Sequence, residues 1–149
     1  MRTVRDMISS KIKPSNIIAP GDTVFTALQL LNTVNLSYLV VMDAHNYKGI
    51  FCERDYSRNV ILKGRSSADT KVKDVMTTDL PSVSMNDTVE TCMNLINEHK
   101  TRYLLAMDEG QFTGVITIHD LLRQVLAAKT DVFDNSMAFK ILEQDEKIY

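Results

Sequence analysis

Apolar and polar positions along this chain follow two rhythms, and each rhythm occurs twice. Val89, Cys92, Met93 and Ile96 fall at i, i+3, i+4 and i+7, the spacing of one apolar face on a helix. Asp87 stands just ahead of them with Glu90 three residues on, which reads as an N-cap and capping box. The earlier run Val24, Ala27, Leu28 and Leu31 has the same spacing, with Asp22 in the capping place. After each predicted helix the rhythm shortens. "SYLVVM" and "RYLLAM" are β-rich runs ended by Asp43 or Asp108. A polar turn ("DAHNYKG" or "DEGQFTG") and a second apolar run, "GIFC" or "GVIT", complete what reads as a hairpin. Helical spacing returns at roughly Glu53–Leu62 and Ile118–Ala128, and short strands are expected near Asn16–Ala19 and Ser82–Ser84.

The chain is therefore written twice. Aligning Asp22–Asp55 with Asp87–Asp120 without a gap leaves about a third of the positions identical. "DTV", "YL" and "MD" recur in register, and upstream "VRDMI" (Val4–Ile8) answers "VKDVM" (Val72–Met76). Each half reads as β-α-β-β-α behind a short helix, so the expected fold class is α/β, of the α+β kind. Two helices cannot cover both faces of a three-stranded sheet in a half this small. The remaining apolar face is expected against the other half, in a pseudo-two-fold pair. The boundaries that follow are residues 1–62 for the first repeat, 63–71 for a polar linker, and 72–128 for the second repeat. Residues 129–149 form an extension in which Met137, Ile141, Leu142 and Ile148 allow a terminal helix for packing or dimerisation.

Composition narrows the function. Apolar content of 44% and charged content of 24% over 149 residues are those of an ordinary soluble domain, and a net charge of −2 offers no field for nucleic acid. No run approaches the roughly 20 apolar residues that span a bilayer. The start, "MRTVRDMISS", does not read as a secretory signal, so a cytoplasmic protein is expected. Cys52 and Cys92 form neither a metal-ligand spacing nor a disulfide framework, and Cys92, on the helix stripe, reads as a buried thiol. Met93 and Met107 read as core filler, and Gly49 and Gly114 as sites of a bulge or close backbone approach. There is no Ser-His-Asp order with an oxyanion motif, no phosphate-cradling glycine loop and no zinc spacing, so catalysis is not expected.

The segment "GIFCERD", Gly49 to Asp55, answers "GVITIHD", Gly114 to Asp120. Together with "VRDMI…GDTV…YLVVMD" and "VKDVM…NDTV…RYLLAMD", this pattern resembles the cystathionine-β-synthase (CBS) domain, two of which form a Bateman module. The resemblance runs from about Val4 to Leu126, and "ERDYSRNVILKGRSS" is similar to small stand-alone bacterial CBS-pair proteins. Some of those are labelled relatives of inosine-monophosphate dehydrogenase, but this chain has no room for that enzyme's catalytic barrel.

The resemblance implies a regulatory module whose two halves leave clefts for an adenosine-containing ligand: AMP, ADP, ATP, NAD(H) or S-adenosylmethionine. It also implies a homodimer that signals through a partner protein. Asp55 and Asp120 occupy the family's ribose-binding place, where an ionised carboxylate accepts both hydroxyls of a diol. Thr117 is placed to donate to a phosphate; Cys52 stands where the family has Ser or Thr, and a thiol is the weaker donor. The first strands, at Ile17–Ile18 and Ser82–Val83, are expected to read the adenine edge. Arg102 stands where the family often has a basic phosphate ligand, Arg54 and His119 each precede an aspartate, and Arg65, Ser66 and Ser67 offer a phosphate rim. The alternative is a scaffold that dimerises with degenerate clefts.

Overall fold

The structure is a computed structural model and describes residues 2–11, 15–34 and 36–127. The terminal extension at 129–149, with its expected helix, lies outside the described residues. The described chain forms two compact units. One holds residues 15–34 and 36–79; the other holds 2–11 and 80–127. We call them the Asp55 unit and the Asp120 unit.

The Asp55 unit runs β1 (Ile17–Ile18), α2 (Val24–Val34), β2 (Tyr38–Asp43), β3 (Asn46–Cys52) and α3 (Glu53–Tyr56). Its sheet has the order β1-β2-β3, with β1 parallel and β3 antiparallel to β2. The Asp120 unit repeats this with β4 (Ser82–Ser84), α4 (Val89–His99), β5 (Tyr103–Asp108), β6 (Gln111–Thr117) and α5 (Ile118–Ala127), the sheet order being β4-β5-β6. The α+β class and the same element order are thus present in both copies. Each hairpin closes in two residues, 44–45 or 109–110, so the strands extend into what the sequence reads as a longer turn. Glu109 and Gly110 both have positive φ, which matches the twist of a tight hairpin.

Both hairpins carry a bulge at the same place, between Val41 and Met42 and between Ala106 and Met107. Gly49 and Gly114 stand opposite Val41 and Ala106, immediately beside it. The two glycines differ in what surrounds them. A Cβ on Gly49 would lie 2.7 Å from the backbone oxygen of Thr77, whereas on Gly114 it would meet only the Cδ1 of Ile8 at 2.9 Å.

The lead-in segments cross over. α1 (Val4–Ser10), from the chain ahead of the first copy, belongs to the Asp120 unit, where Val4 and Met7 are fully buried with Cys92, Leu104, Ile116 and Leu121. The 3-10 turn Val72–Asp74, ahead of the second copy, belongs to the Asp55 unit, where Val72 and Val75 join Leu39, Val41, Phe51 and Val60. Matched bonds dock them: Val4 N donates to Asp87 O, and Val72 N to Asp22 O, each at 2.9 Å. Each buried Leu, Phe, Val or Met in these clusters contributes about 1.5–3 kcal/mol of burial. An apolar lead-in is therefore held firmly by the copy it covers.

Three local expectations change. The helix caps are Thr23 and Thr88, whose hydroxyls accept from Thr26 N and Thr91 N at 3.2 Å. Asp22 and Asp87 stand one residue too early and instead accept from Ala19 N and Ser84 N, closing the turn before the helix. The closing helix of the first copy is not one α-helix to Leu62: α3 ends at Tyr56 and a wider π-turn, Ser57–Ile61, follows it. Finally, Met93 is 38% exposed rather than core filler, while Cys92 beside it is fully buried as expected.

The polar linker is ordered. Val24 and Phe25, at the start of α2, have N–H groups with no partner inside the helix. They donate to Thr70 O and Ser67 O, so the linker caps α2.

Candidate functional site

Asp120 lies in the first turn of α5, directly after β6. Thr117 N donates to Asp120 Oδ2 at 2.9 Å, and Asp120 N donates to Thr117 Oγ1 at 3.1 Å. This reciprocal box satisfies two groups that a helix start leaves open and fixes the carboxylate. Lys11, immediately after α1, adds a third hold: its Nζ donates to Asp120 Oδ2 and to the Val115 carbonyl, both at 2.9 Å. Arg123, one turn along α5, brings Nη1 to 3.8 Å from Asp120 Oδ1. The Asp120 side chain keeps 12% exposure, and Thr117 is buried.

Asp55 occupies the matched place in the other unit with a different set of partners. Its Oδ2 accepts from Cys52 N at 2.9 Å and from Cys52 Sγ at 3.3 Å, and its Oδ1 accepts from Thr77 Oγ1 at 2.6 Å. Thr77 is held by a backbone pairing with Ile50, N to O in both directions at 2.8 and 2.9 Å. Asp55 is only 5% exposed, and burial raises its pKa against the lowering by its Thr77 and Cys52 hydrogen bonds. Burial and the neighbouring Asp55 charge push the Cys52 thiol up to about 11, so it stands as a protonated donor.

The structure therefore brings Asp120 and Thr117 together, and Asp55 and Cys52 together, by direct bonds. The other candidates lie around them. Arg102 is exposed, and its carbonyl accepts from Ile118 N at the start of α5. His119 is half-buried and Arg54 exposed, each beside its aspartate. β1 and β4 are edge strands, with Ile17 and Ser82 exposed while Ile18 and Val83 point into the two cores. In the linker, Arg65 Nη1 donates to Asn59 O, Ser66 Oγ accepts from Ala68 N, and Ser67 O accepts from Phe25 N. These bonds finish the π-turn and cap α2; none involves Asp55.

Two contact residues, Lys11 and Thr77, were not among the candidates from sequence. The copies do carry a faint signal: counted from Val4 and Val72, Lys11 answers Asp79 and Thr77 answers Ser9, so the lead-ins differ where the carboxylates need partners. The Asp120 unit also has a groove of about 300 Å³ between α4 and α5, lined by Met93, Ile96, Lys100, Ile118, Leu121 and Leu122, with Asn97. It contains none of the candidate ligand residues. Among the described residues there is no cluster able to hold a metal ion, and no helix is long and apolar enough to cross a membrane.

Comparison with known proteins bears on both copies. The CBS domain family matches residues 4–61 and 72–127. The mitochondrial CBS domain-containing protein CBSX3 of Arabidopsis thaliana is 32% identical over 133 residues, which cover 83% of this chain and 65% of that protein. A putative signal-transduction protein with CBS domains from Burkholderia ambifaria superposes with a TM-score of 0.79 at 31% identity, covering 89% of this chain and all of that one. The structure of CBSX2 in complex with AMP gives a TM-score of 0.68 at 27% identity, covering 87% of this chain and 99% of that one.

Proposed function

This chain belongs to the CBS domain family, and from that membership we propose that it is a regulatory module that binds an adenosine-containing ligand. AMP, ADP, ATP, NAD(H) and S-adenosylmethionine share the adenine and ribose such a module would read. The observation that carries the proposal is Asp120: a carboxylate fixed by Thr117 and Lys11, still partly exposed at the head of α5. An ionised carboxylate so held can accept a ribose hydroxyl in a charge-assisted bond, worth about 1.5–3 kcal/mol net. The AMP complex of a relative with the same fold supports the ligand class.

Asp120 and Thr117 form the centre of the proposed site, with Arg102 and His119 beside them and the exposed edge of β4, at Ser82–Val83, for the adenine. Asp55, Cys52, Arg54, Ile17, Ile18 and the linker residues Arg65, Ser66 and Ser67 hold the matched places of the first copy. The mechanism is a shift of population: ligand favours one arrangement by no more than its differential affinity, and a partner protein reads the result. The chain would act as a homodimer in the cytoplasm and catalyse nothing.

Thermal melting with each of the five ligands tests this. A ligand at about 100 times its Kd should add roughly 2.7 kcal/mol of apparent stability. Asp120→Ala should remove most of that gain. No shift with any ligand defeats the proposal.

One observation favours the scaffold reading for half of the molecule. The Asp55 carboxylate is buried and bonded on both oxygens by its own unit. If a variant with both aspartates changed to alanine still captures the same partner proteins as the unmodified chain, the surface rather than a ligand is the function.

A further inference from the structure

We propose that the groove between α4 and α5 is the seat of the chain's own terminal segment, which turns back after α5 and lays Met137, Ile141 and Leu142 into it. The groove holds none of the proposed ligand residues, so this interaction stands or falls apart from adenosine binding.

About 300 Å³ of space lies between Met93, Ile96 and Lys100 of α4 and Ile118, Leu121 and Leu122 of α5. Ile96 and Leu121 belong to the core of the unit, but Met93 is exposed and Ile118 and Leu122 are half-buried. The repeat itself does not require this apolar face. At the matched places of the first copy, Ile118 and Leu122 are answered by Glu53 and Ser57, both exposed. The outer face at these two positions is apolar only on the closing helix that runs on into the terminal segment. Apolar surface of this kind marks a contact site.

Reach, pattern and charge favour the terminal segment as occupant. Ala127 ends the described part of α5, and the chain continues to Tyr149. From Ala127 back to Ile118 is about 14 Å along the helix, at roughly 1.5 Å per residue. Residues 128–136 can span about 30 Å when extended, so a turn and the return both fit. Met137, Ile141 and Leu142 then follow at i, i+4 and i+5, one face at helical spacing. Glu143 comes next. Lys100, on the α4 wall, is exposed and forms no ion pair among the described residues. Tethering also raises the local concentration of the segment to about the millimolar range, far above that of a second chain in micromolar protein.

Cysteine pairs in the full chain test this: Met93→Cys with Ile141→Cys, and Lys100→Cys with Glu143→Cys. Each is treated with a short bis-maleimide at micromolar protein and run on a denaturing gel. Burial pushes both native thiols up to about 11, so neither competes with an introduced pair at neutral pH. The expected product is a chain cross-linked to itself, of monomer size and altered mobility. Ile141→Asp, added to the Lys100 and Glu143 pair, should lower the yield at least about tenfold, because it sets a charge in an apolar seat. Cross-linked dimers mean that a second copy fills the groove, and no cross-link from either pair means that the segment lies elsewhere. Each of these results overturns the proposal, as does a yield that Ile141→Asp leaves unchanged. Hydrogen exchange of the unmodified chain decides even if the variants fold poorly. Amides of residues 137–142 should exchange at least about tenfold more slowly than in a free peptide of that sequence. Exchange at the free-peptide rate overturns the proposal too.

Discussion

Asp55 and Asp120 stand at the same place in two copies of one fold, and the two copies use opposite means to hold them. In the Asp55 unit the lead-in turns extended after Val72–Asp74 and lies against β3, so that Thr77 gives its amide to Ile50 O and its hydroxyl to Asp55 Oδ1. In the Asp120 unit the lead-in stays helical through Ser10, and Lys11 reaches in with one ammonium. That ammonium bonds Val115 O, the counterpart of Ile50 O, and Asp120 Oδ2. The same two acceptors are satisfied, once by a backbone and a hydroxyl, once by a charged side chain on a flexible stem. The backbone solution is close, dry and rigid. The side-chain solution is an ion pair that keeps Asp120 12% exposed. A repeat can thus keep its fold while its two aspartates sit in different surroundings, because the difference lies in the segment that each unit receives from elsewhere in the chain.

The sharpest way to break the comparison is at the paired glycines. Gly49→Ala would drive a Cβ to 2.7 Å from Thr77 O, a backbone atom held in the Ile50 pairing. Overpacking against backbone should cost toward the upper end of about 1–3 kcal/mol. Gly114→Ala meets only the terminal Cδ1 of Ile8, which can change rotamer, so less than about 1 kcal/mol is expected. Urea unfolding of both variants checks this. Equal losses would mean that the lead-in is packed alike in both units, and the contrast drawn above would fall.

Next in size is removal of each carboxylate's distinctive partner. Thr77→Val leaves Asp55 Oδ1 buried without its donor, which should cost about 1–2 kcal/mol. Lys11→Met removes a partly exposed ion pair and the bond to the Val115 carbonyl, which together should cost about 1 kcal/mol. A Lys11→Met variant that unfolds more easily than Thr77→Val would contradict the rigid-versus-flexible account.

Much of this architecture is legible in the amino-acid order, because it rests on short-range periodicity. The α4 stripe predicts the buried Cys92 and Ile96, and the runs "SYLVVM" and "RYLLAM" become β2 and β5. Gly49 and Gly114 sit beside bulges as expected. What periodicity does not carry is an address. "VRDMI" and "VKDVM" are near-equivalent apolar segments, and nothing local says which sheet each will cover. The exchange, and with it Lys11 beside Asp120 and Thr77 beside Asp55, is a long-range outcome. "DTV" misleads for a different reason. Asp and Thr are both good caps, and the helix start chooses Thr only because Asp closes the preceding turn.

The smallest effect expected is a pH dependence confined to the Asp55 unit. Burial raises the Asp55 pKa above its ordinary value of 3.8, so the folded chain holds this proton more tightly than the unfolded chain does. Between the unfolded and folded values the folded state binds more protons, and stability falls as pH rises. The contribution is fully present below the unfolded value and gone once pH has passed the folded one. Asp55→Asn removes the titration while keeping an oxygen for Cys52 N and an amide for Thr77 Oγ1. Measured by urea unfolding across this range, the stability of Asp55→Asn relative to the unmodified chain should therefore climb with pH and then level off. Should the gap stay flat or narrow as pH rises, the hydrogen bonds from Thr77 and Cys52 outweigh burial. Asp55 would then be a stabilised carboxylate despite its burial.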